Sequence, residues 1–139
     1  MDLRNGSTMG GRKIATLDDI ISLEERLFGG NSGEDIPIYK LEIFSSRGNI
    51  FRNGRIDTWL EARVYRGARD VTDLIKEQDN LLFSWGRNTD NPPADQTWAN
   101  GRLNSYRQHI TKADVPVEEC MFFCKLIDQE TQKILLQSN

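Results

Sequence analysis

The chain is poor in the residues that build most catalytic and metal centres. Its 139 residues include one histidine, His109, and two cysteines, Cys120 and Cys124. A zinc site would need His109, both cysteines and carboxylates, and no metal-type spacing links them. Cys120 and Cys124 stand like half of a finger site without a second half. On one strand they would share a face about 13 Å apart, beyond the roughly 7 Å that a disulfide spans. Two buried free thiols fit folding in a reducing cytoplasm. A Cys-His nucleophile needs an exposed thiol in an electropositive setting, whereas Met121, Phe122 and Phe123 around these cysteines predict burial. There is no Gly-x-Ser-x-Gly elbow and no Gly-rich phosphate loop. The pairs Asp18-Asp19, Glu24-Glu25 and Glu118-Glu119 diverge whether on a helix or a strand, so they read as solvated charges. The expectation is a non-enzyme with no cofactor and no metal.

Other absences narrow the partners. There is no run of Lys and Arg, and the formal net charge is -3, so a dedicated nucleic-acid binder is not expected. No apolar run approaches the roughly 18 residues of a membrane span. Met1 to Ser7 is polar and does not read as a signal peptide.

What is present divides in two. Residues 1 to 15 read as extended and loop-like, with Gly6, Gly10 and Gly11 interrupting any period. Thr16-Leu17-Asp18-Asp19 is a helix start. Leu17, Ile20, Leu23 and Leu27 then fall on one helix face, flanked by Ile21 and Phe28, and Gly29-Gly30 ends the helix. Glu24 lies inside the apolar arc and requires a cationic partner or solvent. A helix this short is marginal alone, so its stripe must dock on its own domain or on copies of itself. Asn31 to Asp35 reads as a linker. The expected organisation is therefore an N-terminal segment, helix and linker over 1–35, serving assembly or oligomerisation, and one domain over 36–139.

From Ile36 the period becomes two. Tyr39, Leu41 and Ile43 alternate with Lys40 and Glu42. Ser45 to Asn49 and Asn53-Gly54 are turns. Residues 57–65 place Leu60, Ala62 and Val64 on one face, with Trp59, Glu61, Arg63 and Tyr65 on the other. Val71 to Ile75 is a strand or a helical turn. Leu81 to Trp85 is a strand, Asn88 to Ala94 a polar loop, and Thr97-Trp98 the start of an edge strand. Tyr106 to Thr111 returns the chain. Asp114 to Val117 is a corner before a strand over 120–127, and 133–136 closes the chain. Short strands with regular turn signals predict an all-β fold. Trp85 and Cys124, each in a buried strand, mark the core of an immunoglobulin-like β-sandwich. The fold class expected is thus all-β, an immunoglobulin-like β-sandwich with a short N-terminal α-helix. Trp59 and Tyr65 on one strand, and Met121, Phe123 and Ile127 on another, add apolar residues to outer faces. These predict either an interface or a covering by the helix or a loop.

Trp98, Arg102, Tyr106 and Arg107 lie in the loop-rich stretch between 86 and 112. Trp98, Tyr106 and Arg102 form the candidate ligand or partner surface, because loops at a sandwich end carry recognition and aromatic rings suit carbohydrate stacking. A loop packed by its own aromatics is the alternative.

The order of several short runs adds a family likeness. Gly48-Asn49-Ile50-Phe51-Arg52-Asn53-Gly54 is followed by Val64-Tyr65-Arg66-Gly67 and Asp70-Val71-Thr72. Then come Phe83-Ser84-Trp85, the isolated Trp98, the corner Ile110-Thr111-Lys112-Ala113-Asp114-Val115, and Phe122-Phe123-Cys124. Over about residues 40 to 128 this resembles the Ig-like modules of tail and baseplate proteins in phages of Gram-positive bacteria. Asn5 to Thr16 is similar to segments of phage fibre proteins that sit near trimer axes. The resemblance implies a non-enzymatic virion protein of a siphophage tail tip or baseplate, related to the shoulder of a receptor-binding protein. Its partners would be other tail or baseplate proteins. Copies of itself would meet through Leu17, Ile20, Leu23 and Leu27, as a trimer. It would fold in the host cytoplasm and reside in the virion tail. The alternative function is a carbohydrate-binding module for host cell-wall glycan. Ala62 occupies the earlier-strand core position of the antibody-type partner cysteine, so Cys124 has no disulfide partner there.

Overall fold

The protein is described from a computed structural model, which covers residues 8–9, 12–29, 37–45, 50–52, 56–102, 104–116 and 119–138. The expected linker at 31–35, the turns at 46–49 and 53–54, Glu118 and residues 5–7 and 10–11 of the fibre-like segment lie outside the described residues. The chain is mostly β. Its strands are β1 (Thr8–Met9), β2 (Arg12–Ile14), β3 (Tyr39–Phe44), β4 (Ile50–Arg52), β5 (Asp57–Arg66), β6 (Arg69–Asp70), β7 (Leu81–Asn88), β8 (Arg107–Thr111), β9 (Glu119–Asp128) and β10 (Lys133–Gln137). The helices are α1 (Leu17–Phe28), α2 (Thr72–Lys76) and α3 (Pro92–Asn100), with a 3-10 turn at Lys112–Asp114.

The strands form two sheets. In the first, β9 pairs with β7 along one edge, and its other edge is shared by β4 and β10; β10 continues to β2 and β1. In the second, β5 pairs with β3 on one side and with β6 and β8 on the other. The period-two pattern dictates what faces inward. Leu60, Ala62 and Val64 of β5, Phe83 and Trp85 of β7, and Phe122, Cys124 and Leu126 of β9 all join one buried cluster. Trp85 and Cys124 are direct cross-strand neighbours. The indole Nε1 of Trp85 donates to the Ser105 carbonyl at 2.6 Å, which satisfies its one polar atom inside the core.

Helix α1 begins and ends where its local signals predict. The Asp19 carboxylate accepts from the Thr16 N–H at 2.8 Å and from its hydroxyl at 3.0 Å. Gly29 takes a φ of +67°, and its N–H donates to the Glu25 carbonyl at 2.8 Å. The apolar stripe faces this chain's own core: Leu23 is 0% exposed, and Ile20, Leu27 and Phe28 pack against the same cluster, while Leu17 remains 71% exposed. Three of the four stripe residues are thus engaged within the domain while the helix stays docked.

Described segments on either side of the expected linker contact one another. β2 pairs in parallel with β10, with Ile14 opposite Ile134, and the Ala15 N–H donates to the Ile134 carbonyl at 2.8 Å. Lys133 reaches Asp19 at 3.1 Å, and Arg26 reaches Asp128 at 3.4 Å. The expected extended segment before the helix is in part sheet, because β10 offers a free edge beside it.

One local reading changes and another is decided. Residues 92–100 form a helix, where a polar loop and an edge strand were expected. Pro92 and Pro93 occupy its first turn, where a fixed φ is already helical and a missing N–H costs nothing. Asn91 caps it through its side-chain oxygen, which accepts from the Ala94 N–H at 3.4 Å. Thr72 to Lys76 is a helical turn, not a strand. Its start is held by Asp70, whose carboxylate accepts from the Thr72 N–H at 2.9 Å and hydroxyl at 2.6 Å.

Candidate ligand and partner surfaces

Of the predicted surface residues, Trp98 and Arg102 come together at the end of α3, but they are already occupied. The Trp98 indole Nε1 donates to Asp114 Oδ1 at 2.9 Å, and the Arg102 guanidinium ion-pairs with the same oxygen at 3.2 Å. The Asp114 Oδ2 accepts from the Thr111 N–H at 2.9 Å. Arg102 lies over the Trp98 ring at 4.8 Å from its centroid, and the ring packs against Phe122 at 5.3 Å. Arg87 adds a contact to the Asp114 carbonyl at 3.0 Å and a pair with Asp95 at 2.9 Å. Asp95 in turn accepts from the Thr89 N–H and hydroxyl at 2.9 and 2.6 Å. Burial alone would raise the Asp95 pKa, but the Thr89 and Arg87 hydrogen bonds outweigh it and hold the carboxyl below its usual value. The result is a corner in which α3 is fastened to β7 and β8. Tyr106 sits apart from it, half-buried against the core, with the Lys76 ammonium 4.1 Å from its ring centroid.

Trp59, by contrast, is open. It projects from the outer face of β5 and is 49% exposed. Cross-strand register places His109 of β8 directly opposite, and the rings stack at 4.9 Å with 20° between planes. The Arg107 guanidinium lies 4.5 Å from the Trp59 ring centroid. His109 Nε2 meets Asp57 Oδ1 at 2.6 Å. Arg107 also pairs with Glu61 at 3.7 Å. A cleft of about 470 Å³ opens beside these groups, between β8, the end of α3 and the 3-10 turn. Trp59, Arg102, Arg107, His109 and Thr111 line it, so Arg102 of the predicted surface does reach a cleft, in different company. The signal for this face was the outward position of Trp59 in an alternating strand. Its partners came from a strand about fifty residues later, whose register the sequence does not display.

The outer face of the other sheet behaves unevenly. Ile127 is buried, Phe123 is half-buried and Met121 is exposed. The Phe123 ring lies so close over Gly86 that a Cβ there would collide with it.

A different polar group was flagged by sequence and now has its partners. Glu24 is 1% exposed. Its carboxylate takes two parallel hydrogen bonds from Arg66, Nε at 2.8 Å and Nη2 at 2.6 Å, and one from the Tyr39 hydroxyl at 2.5 Å. The bonds to Glu24 raise the Arg66 pKa, and burial together with donation to Glu24 raises that of Tyr39. Arg66 also lies over the Phe28 ring at 4.5 Å. This group clamps α1 to β3 and β5.

Both cysteines are buried and free. Burial pushes the Cys120 thiol up to about 11 and raises that of Cys124 further, so neither supplies a thiolate near neutral pH. Among the described residues no group of three or more His, Cys, Asp and Glu could hold a metal ion, and no helix is long and apolar enough to cross a membrane. No family model matches the chain, no characterised protein aligns with it significantly, and no solved structure resembles it significantly.

Proposed function

We propose that the chain is a non-enzymatic assembly and docking module of a phage tail tip or baseplate, built on an immunoglobulin-like β-sandwich. The strand order carries the fold reading. One sheet runs β3-β5-β8 and the other β7-β9-β10, which is the order of the first, second and fifth strands against the third, sixth and seventh in a constant-type immunoglobulin sandwich. Trp85 and Cys124 take the third- and sixth-strand positions in that scheme, and Ala62 replaces the second-strand cysteine. The phage assignment rests on the resemblance of the runs between residues 40 and 128. The docking role is supported by Phe44 and Met121, which are large apolar side chains left exposed on outer faces.

The protein is a component of the virion tail, with other tail or baseplate proteins as partners. Self-association as a trimer through the α1 stripe would compete with the docking of Leu23, Ile20 and Leu27 on the core, so exposed sheet faces are the better contact. Antibody-gold labelling of intact particles tests the assignment. Label at the distal end of the tail is the expected outcome, and absence of the protein from purified virions overturns it. Light scattering of the purified chain separates a trimer from a monomer.

A further inference from the structure

We propose that the cleft beside Trp59 is a saccharide subsite, taking a neutral pyranose unit of a longer glycan. The site is independent of the tail assignment and of the Trp98 corner. Three observations carry it. First, Trp59 keeps about half of its surface open while His109 and Arg107 hold the ring in place. A fixed, half-open indole offers an apolar plane, onto which the C–H face of a sugar ring can settle. Second, the volume of about 470 Å³ falls in the range of small-ligand sites. Its rim presents planar or hydroxylic polar groups from Arg102, Arg107, His109 and Thr111. Such groups both position and discriminate the hydroxyls of a sugar.

Third, the charge is locally balanced, and this chooses among ligand classes. Arg102 is matched by Asp114 at 3.2 Å, Arg107 lies 3.7 Å from Glu61, which also pairs with Arg63, and His109 is joined to Asp57 at 2.6 Å. A phosphate or carboxylate ligand would be repelled by the acid already beside each base. An ammonium ligand over Trp59 would meet Arg107 at the same ring. An uncharged, polyhydroxylated ligand with one apolar face meets neither obstacle.

The test uses the full chain and three probes: maltotetraose, cellotetraose and the N-acetylglucosamine tetramer. Tryptophan fluorescence and calorimetric titration are run with each. The expected result is saturable binding of at least one probe in the micromolar to millimolar range typical of a single subsite. Trp59→Ala should weaken it by roughly tenfold or more, and Arg107→Ala by a smaller factor. Tyr106→Phe, outside the cleft, should bind like the parent chain. Trp59 is solvent-exposed, so its variant is expected to fold, and circular dichroism checks this. The proposal is overturned if none of the three probes binds at about 10 mM, or if Trp59→Ala binds as well as the parent. It is also overturned if Trp59→Ala loses incorporation into particles without any glycan binding, because the face would then dock a protein.

Discussion

The polar groups of this molecule fall into two regions built from the same residue types. At the α1 clamp and the α3 corner, Glu24 and Asp114 are buried, Asp95 and the arginines are half-buried, and the contacts are short. Glu24 meets Arg66 at 2.6 Å, Asp95 meets Arg87 at 2.9 Å, and Asp114 gathers Trp98, Arg102 and Thr111. On the outer face of β5 and β8, Asp57, Glu61, Arg107 and His109 surround Trp59 in the open. The first region fastens helices to sheets, since a buried charge that loses its partner is costly. Exposed pairs contribute little to stability, so the second region is free to serve contact with something outside the chain. The two differ in geometry as well as exposure: three acceptor bonds converge on Glu24, whereas Arg107 and Glu61 meet only loosely.

The sharpest way to test this division is to remove Glu24. Glu24→Ala should cost on the order of 3 kcal/mol in urea unfolding, because Tyr39 loses its acceptor and α1 loses its clamp. Arg66 reaches solvent after the change, which keeps the cost from growing further. Next comes the α3 corner. Asp114→Ala leaves the Trp98 indole, the Arg102 guanidinium and the Thr111 N–H without their acceptor, and about 2–3 kcal/mol is expected. Trp98→Ala, which also vacates the contact with Phe122, should cost about 2 kcal/mol. If either variant unfolds at the parent's urea midpoint, the corner is not a fastening.

Acid pH tests the helix starts and the α3 corner. The carboxyls of Asp19, Asp70 and Asp95 are held low: burial opposes ionisation in each, and hydrogen bonds from Thr16, Thr72 and Thr89 outweigh it. A carboxyl whose folded pKa lies below its unfolded value stabilises fully above the unfolded pKa. That contribution is lost as pH falls through the folded value. Melting temperature should therefore be flat with respect to these groups above roughly pH 5 and fall below about pH 4. Asp95→Asn should lower the plateau and shallow the acid decline. A decline as steep as the parent's would show that Asp95 contributes nothing to it.

These contrasts explain what the sequence could and could not disclose. Helix α1 was legible to the residue because its signals are local: Thr16 and Asp19 at one end, Gly29 at the other. β5, β7 and β9 were legible because alternation writes the inner face directly. Glu24 was recognisable as a misfit in an apolar arc, but its partner Arg66 is 42 residues away, and no local pattern connects them. α3 was hidden because Pro92-Pro93 suggests a loop and Thr97-Trp98 a strand, and its fastening to β7 and β8 depends on Asp114, Arg87 and Phe122 from elsewhere. The same long-range packing decided which tryptophan stays open. Trp98 stood in the more promising stretch for recognition, and the fold closed it. Trp59 stood on the clearest strand, and the fold left it half in solvent.

Trp59→Ala should have the smallest effect on stability. The ring loses a stacked His109 and the Arg107 guanidinium, contacts worth about 0.5 kcal/mol each at an exposed cross-strand site. Against this, removing a half-exposed indole relieves the water it orders, so the net change in urea unfolding should stay within about 1 kcal/mol. A loss near that of Glu24→Ala would place Trp59 among the fastenings and erase the distinction between the two regions. A small loss would mean that an aromatic side chain is held half-open at little benefit to the fold. Its retained surface is then available to be buried by a ligand, with the binding energy of that burial not already taken up by folding.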